Sequence, residues 1–529
     1  MWSLTVFLSI IWSVSILYGE MFAFWVPSLW TCSWPHHLPH SSSSAKRLND
    51  SGDYVKIAVT TDPQLMDRTS LRLSSKSLAL EVAQFYTDLF MRRAFLSSIL
   101  PFKPDVILFL GDYFDGGPIL SHKEWQESLS RFKHIFDLNM LQKTTNTKVY
   151  FLSGNHDIGY EALHSQMPEV IMRYEKEFGA RNYKFALGKV DFVAIDSQTL
   201  DGNSQGTLTS ATWNFISNVS QDSGSTPRVL LTHIPLYRPD WTSCGPHRSS
   251  PIINQGISRS PYNQQITYQN YITEKSTNNL LNLIRPALIL SGHDHDQCTV
   301  THISKYGPVE EHTLGTISWQ QGNLFPSFML LSASNNSFPD GFALEDVISS
   351  NLCFLPVQTY IYIWYLVLFI MTLLIVLFWP TKEVFFFHHF CNFRECIRSL
   401  INNTVFGGVT KEKNEDENCE YEMTWDAEGS MHLIKKASIS PPKSSTNRVS
   451  VERGNAVMRS TAKRPIEHEV DVLVPSDVGL DTAIPSRMKK SKTILVIRRL
   501  LRVIRLLSFI AAFNVPLYMM LLFKDWIDK

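Results

Sequence analysis

Short apolar runs recur along the middle of this 529-residue chain, and most of them end in Asp, Gly, Asn or His. Such runs, rich in β-branched residues, are typical of buried strands. Between them, windows 77–100 and 122–141 carry apolar residues at spacings of three and four, which predicts helices. Strands that alternate with helices indicate an α/β core. The predicted strands are 55–61, 106–110, 148–153, 192–195, 228–231 and 287–290.

Three longer apolar runs, at 4–26, 357–379 and 506–523, carry one charge or none. Spanning a bilayer takes about 20 apolar residues, so all three are predicted transmembrane helices, the first of them a signal-anchor. The third run is near the lower limit of length and contains Pro516, which leaves a helix lying in the membrane interface as its alternative. For the first run the alternative is a cleaved signal peptide, although no basic segment precedes it.

The distribution of Lys and Arg predicts which side of the membrane each segment faces. None occurs at 337–356, whereas several follow the second run, and 487–505 before the third run is strongly basic. Basic flanks stay in the cytosol, so residues 380–505 are expected there, and the linker 27–53 and a domain at 54–350 on the lumenal side. Acceptor triplets for N-glycosylation agree with this orientation; they begin at Asn49, Asn218 and Asn335.

Composition narrows the class of protein further. Lys and Arg number 49, as do Asp and Glu, so the formal charge is zero, which disfavours a nucleic-acid-binding protein. Seven cysteines in this length exclude a small disulfide-stapled scaffold. Residues 410–492 are rich in Ser, Pro, Lys and Glu, so we expect the cytosolic segment to be mostly disordered. Its basic C-terminal part is interpreted as the positive flank of the third run, with binding of anionic lipid as the alternative.

Polar side chains follow five of the predicted strands at the point where each strand ends. In α/β folds these loops carry the ligands, so the side chains are expected to converge. Carboxylates, an amide and imidazoles without thiolates suit Mn, Fe or Zn better than Ca. Two such metals about 3.5–4 Å apart would clamp the oxygens of a phosphoryl group, with Asp112 as the bridging carboxylate. The candidate ligands are Asp62, Asp112, Asn155, His233, His293 and His295.

The order of these motifs resembles that of the calcineurin-like metallophosphoesterases. Asp-x-Gln, Gly-Asp-x-x-Asp, Gly-Asn-His-Asp, Thr-His and Gly-His-Asp-His follow one another between residues 62 and 296. The resemblance implies an αββα sandwich, flanked here by transmembrane helices, with a site for two divalent cations, Mn favoured over Fe or Zn. It places Asp62, Gln64, Asp112 and His295 around one cation, and Asp112, Asn155, His233 and His293 around the other.

The same resemblance assigns roles to neighbouring residues. His156 would stand near the leaving group as a proton donor or charge stabiliser, with Asp157 orienting its ring. Asp115 is expected either to support a site residue from behind or to hold the loop, rather than to bind a cation directly. Asp196, which also follows a strand, is interpreted as a turn former, because a lone Asp in that position is more often structural.

The motif that contains Gln64 departs from the general pattern of the family. Most members have Asp-x-His where this chain has Asp-Pro-Gln, and an amide oxygen is a weaker ligand than imidazole. The members that remodel glycosylphosphatidylinositol (GPI) anchors in the early secretory pathway are similar in using Asp-Pro-Gln-Leu and in having a lumenal domain between two anchors. Segment 234–238 and the pair Ser318-Trp319 are further likenesses.

This similarity implies a metal-dependent phosphodiesterase of the endoplasmic reticulum or Golgi membrane. It would remove an ethanolamine-phosphate side branch from GPI glycolipids or GPI-anchored proteins, and so aid their transport from the endoplasmic reticulum to the Golgi. Two alternatives are a lumenal phosphatase for other phosphoesters and a catalytically weak cargo-sorting scaffold whose site is vestigial because of Gln64.

Cysteine spacing gives a separate prediction. If the Thr-His and Gly-His-Asp-His loops hold the same cation, they are neighbours, and Cys244 and Cys298 follow them within reach of each other. We predict a disulfide between these two in the oxidising lumen. Cys32 and Cys353 flank the first two apolar runs, and the sequence does not decide whether they pair with each other or stay free.

Three other residues near the motifs keep two interpretations. Tyr237 and Arg238 follow a candidate ligand closely, so they either touch a substituent of the phosphate or brace the loop. For His302 a packing role is favoured over a chemical one.

Overall fold

The computed structural model describes residues 2–35, 54–71, 77–164, 166–222, 226–254, 256–336, 347–379, 421–425, 431–435 and 492–527. The strands are β1 (Tyr54–Thr60), β2 (Val106–Phe109), β3 (Lys148–Phe151), β4 (Tyr183–Leu187), β5 (Val190–Ile195), β6 (Arg228–Thr232), β7 (Ile257–Arg259), β8 (Ile266–Gln269), β9 (Leu288–Ser291), β10 (Cys298–Ser304), β11 (Gly307–Thr313), β12 (Ser327–Ser334), β13 (Ile348–Phe354), β14 (Tyr421–Trp425) and β15 (Met431–Lys435). The α-helices are Trp2–Leu17, Ala23–Val26, Leu78–Arg93, His122–Ile135, Leu138–Thr144, Asn155–Ile158, Glu161–His164, Pro168–Phe178, Thr207–Gln221, Glu274–Ile284, Gln358–Phe378 and Lys492–Trp526.

Two mixed sheets form the centre of the domain. The first has the order β13-β12-β1-β2-β3, with β1, β2 and β3 parallel and β12 antiparallel to both of its neighbours. The second has the order β10-β11-β9-β6-β5-β4, with β11, β9, β6 and β5 parallel and antiparallel strands at both edges. The central strands β2 and β6 are buried along their whole length, because layers cover both of their faces.

Three apolar clusters separate four layers. One lies between the two sheets and takes side chains from both. Helices Leu78–Arg93 and His122–Ile135 pack on the outer face of the first sheet, and helices Thr207–Gln221 and Glu274–Ile284 on the outer face of the second. This is the αββα sandwich that the motif order implied.

The six predicted strands are present with small shifts at their ends. The predicted helix 122–141 is divided in two, because Asp137 adopts a left-handed conformation with φ at +47° after His122–Ile135. The predicted helix 77–100 is an α-helix to Arg93 and continues as the π-helical segment Ala94–Ile99.

Within the described part of the chain, three helices are long and apolar enough to cross a membrane: Leu4–Thr31, Gln358–Phe378 and Val496–Trp526. We call them the first, second and third apolar helices. They coincide with the three predicted spans, and the third continues through Pro516 without a break, so it is longer than the predicted 506–523.

A disulfide fixes the end of the first apolar helix to the domain. Cys32, which follows that helix, is bonded to Cys353 of β13 with the Cα atoms 5.6 Å apart. The side chain of Asn351 in the same strand donates a hydrogen bond to the carbonyl of Ser33 (2.8 Å). Since β13 leads into the second apolar helix, one strand holds the ends of two helices.

Residues 380–494 belong to a separate unit, in which the structure describes a hairpin of β14 and β15. The rest of the predicted disordered segment lies outside the described residues, as do residues 36–53 of the predicted linker 27–53, with Asn49. The start of that linker is helical instead, because the first apolar helix continues to Thr31.

Candidate metal centre

Loops after β1, β2, β3, β6 and β9 meet where the carboxyl ends of the two sheets come together. Backbone hydrogen bonds tie these loops to one another: the N–H of Asp62 donates to the carbonyl of Gly111 (3.1 Å), and that of Gly292 to the carbonyl of His233 (3.0 Å). The candidate ligands predicted from distant motifs are therefore brought to one place.

Two overlapping groups of three side chains have the spacing of cation sites. One ligand atom each from Asp112, His233 and His293, and likewise from Asp62, Asp112 and His295, lies within 4.8 Å of the other two. Nε2 of His233 is 3.1 Å from Oδ2 of Asp112, and Nε2 of His295 is 3.7 Å from Oδ1 of Asp62. Because Asp112 belongs to both groups, its carboxylate is placed to bridge two cations. These oxygen and nitrogen donors fit a pair of divalent cations of the Mn, Fe or Zn type.

The backbone at the predicted ligands is strained. Positive φ is uncommon outside glycine, and residues held there cluster at functional sites because the surrounding structure must enforce them. Five of the predicted ligands adopt it: Asp62 (+51°), Gln64 (+37°), Asp112 (+55°), His293 (+67°) and His295 (+59°).

Glycines in the motifs are required by the close approach of the loops. A Cβ on Gly154 would lie 2.1 Å from Oδ1 of Asp112, and one on Gly292 would lie 2.1 Å from Oγ1 of Thr61. No side chain fits at either position without moving the site.

Backbone carbonyls orient two of the imidazoles. Nδ1 of His233 is 2.7 Å from the carbonyl oxygen of Leu110, and Nε2 of His293 is 3.0 Å from that of Gln269. These contacts leave Nε2 of His233 and Nδ1 of His293 to face the cluster, which is the usual way in which a protein sets the tautomer of a metal-binding histidine. Neither carbonyl could be found from motifs, because a backbone group has no residue-type signal.

The buried carboxylates and imidazoles of the cluster shift one another's pKa values. Burial would raise the pKa of Asp112, but the imidazoles of His233 and His156 outweigh it and hold that pKa well below its ordinary range. Burial lowers the pKa of His233, yet Asp112 more than compensates and raises it to about 9. For His293, burial and the neighbouring His233 together lower the pKa to about 3. A cation that binds here must displace the proton of His233.

Gln64 is held by two further glutamines. Its Nε2 donates to Oδ2 of Asp112 (3.1 Å), its Oε1 accepts from Nε2 of Gln321, and its backbone carbonyl accepts from Nε2 of Gln320. To coordinate a cation through oxygen, the amide of Gln64 must turn over. Gln320 and Gln321 were not predicted, although they follow the Ser318-Trp319 pair that the sequence singled out.

His156 and Asp157 have different partners from those expected. The backbone N–H of His156 donates to Oδ1 of Asp112 (2.8 Å), and its ring Nδ1 contacts the carbonyl of Asp115 and lies 3.6 Å from the carboxylate of that residue. The carboxylate of Asp157 instead accepts the N–H groups of Asp112, Tyr113 and Gly154 at 2.8–2.9 Å. Asp115 therefore orients the ring of His156, and Asp157 holds the loops together, which corrects the expected role of Asp157.

A cavity of about 390 Å³ opens beside His293 and His295. Arg248 in its wall donates two hydrogen bonds to the carboxylate of Asp294 (2.7 and 3.0 Å), and the hydroxyl of Tyr271 donates a third (3.0 Å). Sequence reasoning missed this wall, because Arg248 and Tyr271 lie in segments without a recognisable motif.

The loop that carries this wall is fixed by the predicted disulfide. Cys244 is bonded to Cys298 with the Cα atoms 4.3 Å apart, which confirms the prediction. Arg238, in contrast, is fully buried and forms an ion pair with Glu311 (2.9 Å), so it braces the loop. Asp196 is buried and paired with Arg181, in keeping with a structural role.

The four layers, the two overlapping groups of ligands and their shared carboxylate define a metallophosphoesterase domain. The family model of the calcineurin-like phosphoesterases matches residues 55–297, so this domain belongs to that family and the resemblance in the motifs is confirmed. Members of the family hydrolyse phosphoric esters with two divalent metals.

Several known proteins are similar to parts of this chain. The chain is 28% identical over 311 residues to cell division control protein 1 of Saccharomyces cerevisiae, covering 57% of this chain and 61% of that protein. It is 30% identical over 287 residues to metallophosphoesterase 1 of Ailuropoda melanoleuca, covering 51% and 66%. The chain thus spans less than two thirds of the length of these relatives. A protein serine/threonine phosphatase structure from Saccharomyces cerevisiae is 12% identical with a TM-score of 0.26, covering 65% of this chain and 89% of that one.

Proposed function

We propose that the chain is a membrane-tethered phosphodiesterase whose domain faces the lumen of the endoplasmic reticulum or Golgi. Its substrate would be a lipid-linked glycan, and its reaction the removal of an ethanolamine-phosphate branch from GPI anchors. The seven ligands Asp62, Gln64, Asp112, Asn155, His233, His293 and His295 would hold two divalent cations, Mn in the first instance.

The observation that carries the proposal is that one wall of the site contacts the second apolar helix and the other contacts the strand that leads into it. Trp319, beside the glutamines that hold Gln64, packs edge-on against Tyr362 of that helix with ring centroids 5.7 Å apart. Close to Arg248, the ring of His247 lies 4.4 Å from that of Phe354, which ends β13. A site framed in this way opens near the membrane surface and suits a substrate that is itself anchored there.

The lumenal orientation has two structural supports. All four cysteines of the predicted lumenal part are paired in disulfides, which form and persist in oxidising compartments. The acceptor residues Asn218 and Asn335 are exposed on the domain.

Roles of the chain's own residues follow from their contacts. Two bound divalent cations would neutralise phosphoryl oxygens and lower the pKa of a bound water. Because Nδ1 of His156 contacts a carbonyl oxygen, this nitrogen carries a proton. Burial lowers the pKa of the ring, but Asp112 and Asp115 outweigh it and raise that pKa, which favours the imidazolium form, whose Nε2–H can give its proton to the departing alcohol. Asp115 keeps the ring in that orientation, and Asp157 keeps Asp112 in place.

The test is hydrolysis by the full chain reconstituted in nanodiscs. GPI glycolipid with and without the ethanolamine-phosphate branch, a soluble phosphodiester and a soluble phosphomonoester are compared, with Asp112→Asn as the inactive control. We expect loss of the branch from the glycolipid in wild type alone. Preference for the monoester would favour the phosphatase alternative. A protein without hydrolytic activity whose Asp112→Asn variant restores export in cells would favour the scaffold.

A further inference from the structure

The helix Leu78–Arg93 carries an apolar stripe whose N-terminal part is exposed on the surface. Leu78 is 75% exposed and Val82 is 45% exposed, one helical turn apart on the same face. The stripe continues through Phe85 and Tyr86. Large apolar side chains arranged in this way on a helix need a partner.

The far end of the stripe packs on the apolar helices. The ring of Phe85 lies 5.3 Å from that of Trp526 in the third apolar helix. The hydroxyl of Tyr86 is 3.2 Å from that of Tyr518, and its ring is 6.2 Å from that of Tyr362 in the second. The exposed part of the stripe is therefore continuous with the surface that these helices present to lipid.

Charged groups lie where the C-terminal end of the helix Leu78–Arg93 contacts the first and third apolar helices. Arg93 forms a buried ion pair with Glu20 of the first apolar helix. It also donates to the carbonyl of Leu521 (2.8 Å) and lies 3.3 Å from Asp525, both in the third apolar helix. Charges in membrane-spanning helices are costly at the bilayer centre and are tolerated near the headgroups. Arg93 thus places the end of its helix at the bilayer surface.

We propose that the helix Leu78–Arg93 is an in-plane membrane contact, with Leu78 and Val82 inserted at the boundary of headgroups and acyl chains. The occupant of this face is the lipid of the leaflet on the side of the domain. An amphipathic helix lies in this layer by burying its apolar face and keeping its polar face in water. Continuity of the stripe with the second and third apolar helices favours lipid over a second copy or another protein.

This contact would also position the metal centre. The side chain of Gln84, in the middle of the helix, donates to the carbonyl of Met66 (3.0 Å), two residues after the predicted ligand Gln64. A helix fixed in the headgroup layer would therefore hold the first metal loop at a constant height above the membrane. The contact does not depend on which phosphoester is the substrate.

The test measures access of lipid to the stripe in the full chain. Cys391, Cys396 and Cys419 are changed to Ser, and a polarity-sensitive fluorophore is attached at Leu78→Cys or, in a second variant, at Val82→Cys. Ile303→Cys in β10 is the matched control, because Ile303 is 78% exposed but makes no described contact with the apolar helices. The proteins are placed in phosphatidylcholine nanodiscs with ordinary or brominated acyl chains.

We expect a blue-shifted emission at positions 78 and 82 that brominated lipid quenches, and an unquenched, water-like emission at position 303. Equal emission at all three positions would overturn the proposal. A blue shift that brominated lipid does not quench would overturn it in favour of a protein partner or a second copy. Metal content and melting temperature equal to those of wild type ensure that the labelled variants are folded.

Discussion

The domain buries two clusters in which carboxylates face imidazoles, one at the metal centre and one around Glu311. In the second cluster, Oε2 of Glu311 is 2.9 Å from Nη2 of Arg238 and 2.7 Å from Nε2 of His302. Its Oε1 accepts from the hydroxyl of Ser291 (2.7 Å) and the N–H of Leu236 (3.1 Å). The carboxylate is thus fully paired by the protein itself.

The metal centre is paired differently. Asp62 and Asp112 are equally buried, yet Nε2 of His295 stays 3.7 Å from Asp62, beyond hydrogen-bond distance. Several side chains of ligand type surround Asp112 instead: its Oδ2 accepts from the amide of Gln64 and lies 3.1 Å from Nε2 of His233, and a ring nitrogen of His293 lies within 4.8 Å of the carboxylate. Burial beside a histidine therefore does not identify a site. What distinguishes the metal centre is that side chains of ligand type from five loops converge on two neighbouring carboxylates, with a backbone held at positive φ.

The largest expected effect is on metal binding and hydrolysis, which depend on the metal centre and not on the cluster around Glu311. Asp112→Asn removes the charge shared by both groups of ligands, so we expect metal content to fall and phosphodiester hydrolysis to drop about a thousandfold, equivalent to roughly 4 kcal/mol of barrier. Elemental analysis and turnover of the reconstituted chain measure this. A variant that keeps its full metal content would show that Asp112 does not bridge the cations.

Glu311→Ala should produce the opposite pattern. It leaves Arg238 buried without its partner, so the free energy of unfolding should fall by about 3–5 kcal/mol while metal content per folded molecule is kept. Thermal and denaturant unfolding of the detergent-solubilised chain measure the loss. The control is Glu310→Ala next to it, which is exposed and should stay within about 0.5 kcal/mol of wild type. Unchanged stability together with lost metal would contradict the comparison.

Acid sharpens the comparison further. Burial would raise the pKa of Glu311, but Arg238 and His302 lower it from 4.5 to about 2. The unfolded carboxylate takes up a proton before the folded one, so this stabilisation is present above about pH 4.5 and lost as the pH falls towards 2. It amounts to at most about 3 kcal/mol. Unfolding in chelator at pH 5 and pH 3 should show the loss in wild type, and Glu311→Gln should lack it. If wild type and Glu311→Gln lost the same free energy of unfolding between pH 5 and pH 3, the lowered pKa of Glu311 would be refuted.

Gln321→Ala should have the smallest effect. Without Gln321 the amide of Gln64 loses a partner that fixes it, and supporting contacts of this kind change metal affinity by about tenfold. Competition titration with a metal-sensitive dye measures the affinity, and the exposed Gln205→Ala serves as the control. A wild-type affinity in Gln321→Ala would mean that Gln64 needs no support or binds no cation.

The sequence predicted the parts of the fold whose signal is local. Buried central strands such as β2 and β6 are continuous apolar runs, and they were found. Strand β10 was missed because the run Cys298–Ser304 alternates polar and apolar residues at the edge of its sheet. Strand β12 was missed although it is wholly buried, because small polar residues interrupt its apolar run.

At the site, the order of the motifs predicted the ligand side chains but not the backbone groups that orient them. Five predicted ligands form the two groups, Gln64 donates to Asp112, and Oδ1 of Asn155 lies 3.2 Å from Nε2 of His233, so all seven lie together. The carbonyls of Leu110 and Gln269 that orient the imidazoles have no signature in residue type. The expected role of Asp157 was wrong, because its carboxylate accepts backbone N–H groups, and only the geometry shows that Asp115 is the residue beside the ring of His156.

The bond between Cys32 and Cys353 has a consequence for release of the domain from the membrane. A protease that cuts the linker at 36–53 leaves the domain attached through the second apolar helix, and the disulfide keeps the first helix attached as well. Shedding would require a second cut between β13 and the second apolar helix together with chemical reduction. The domain is thus joined to the apolar helices by three covalent links, two through the polypeptide and one through the disulfide.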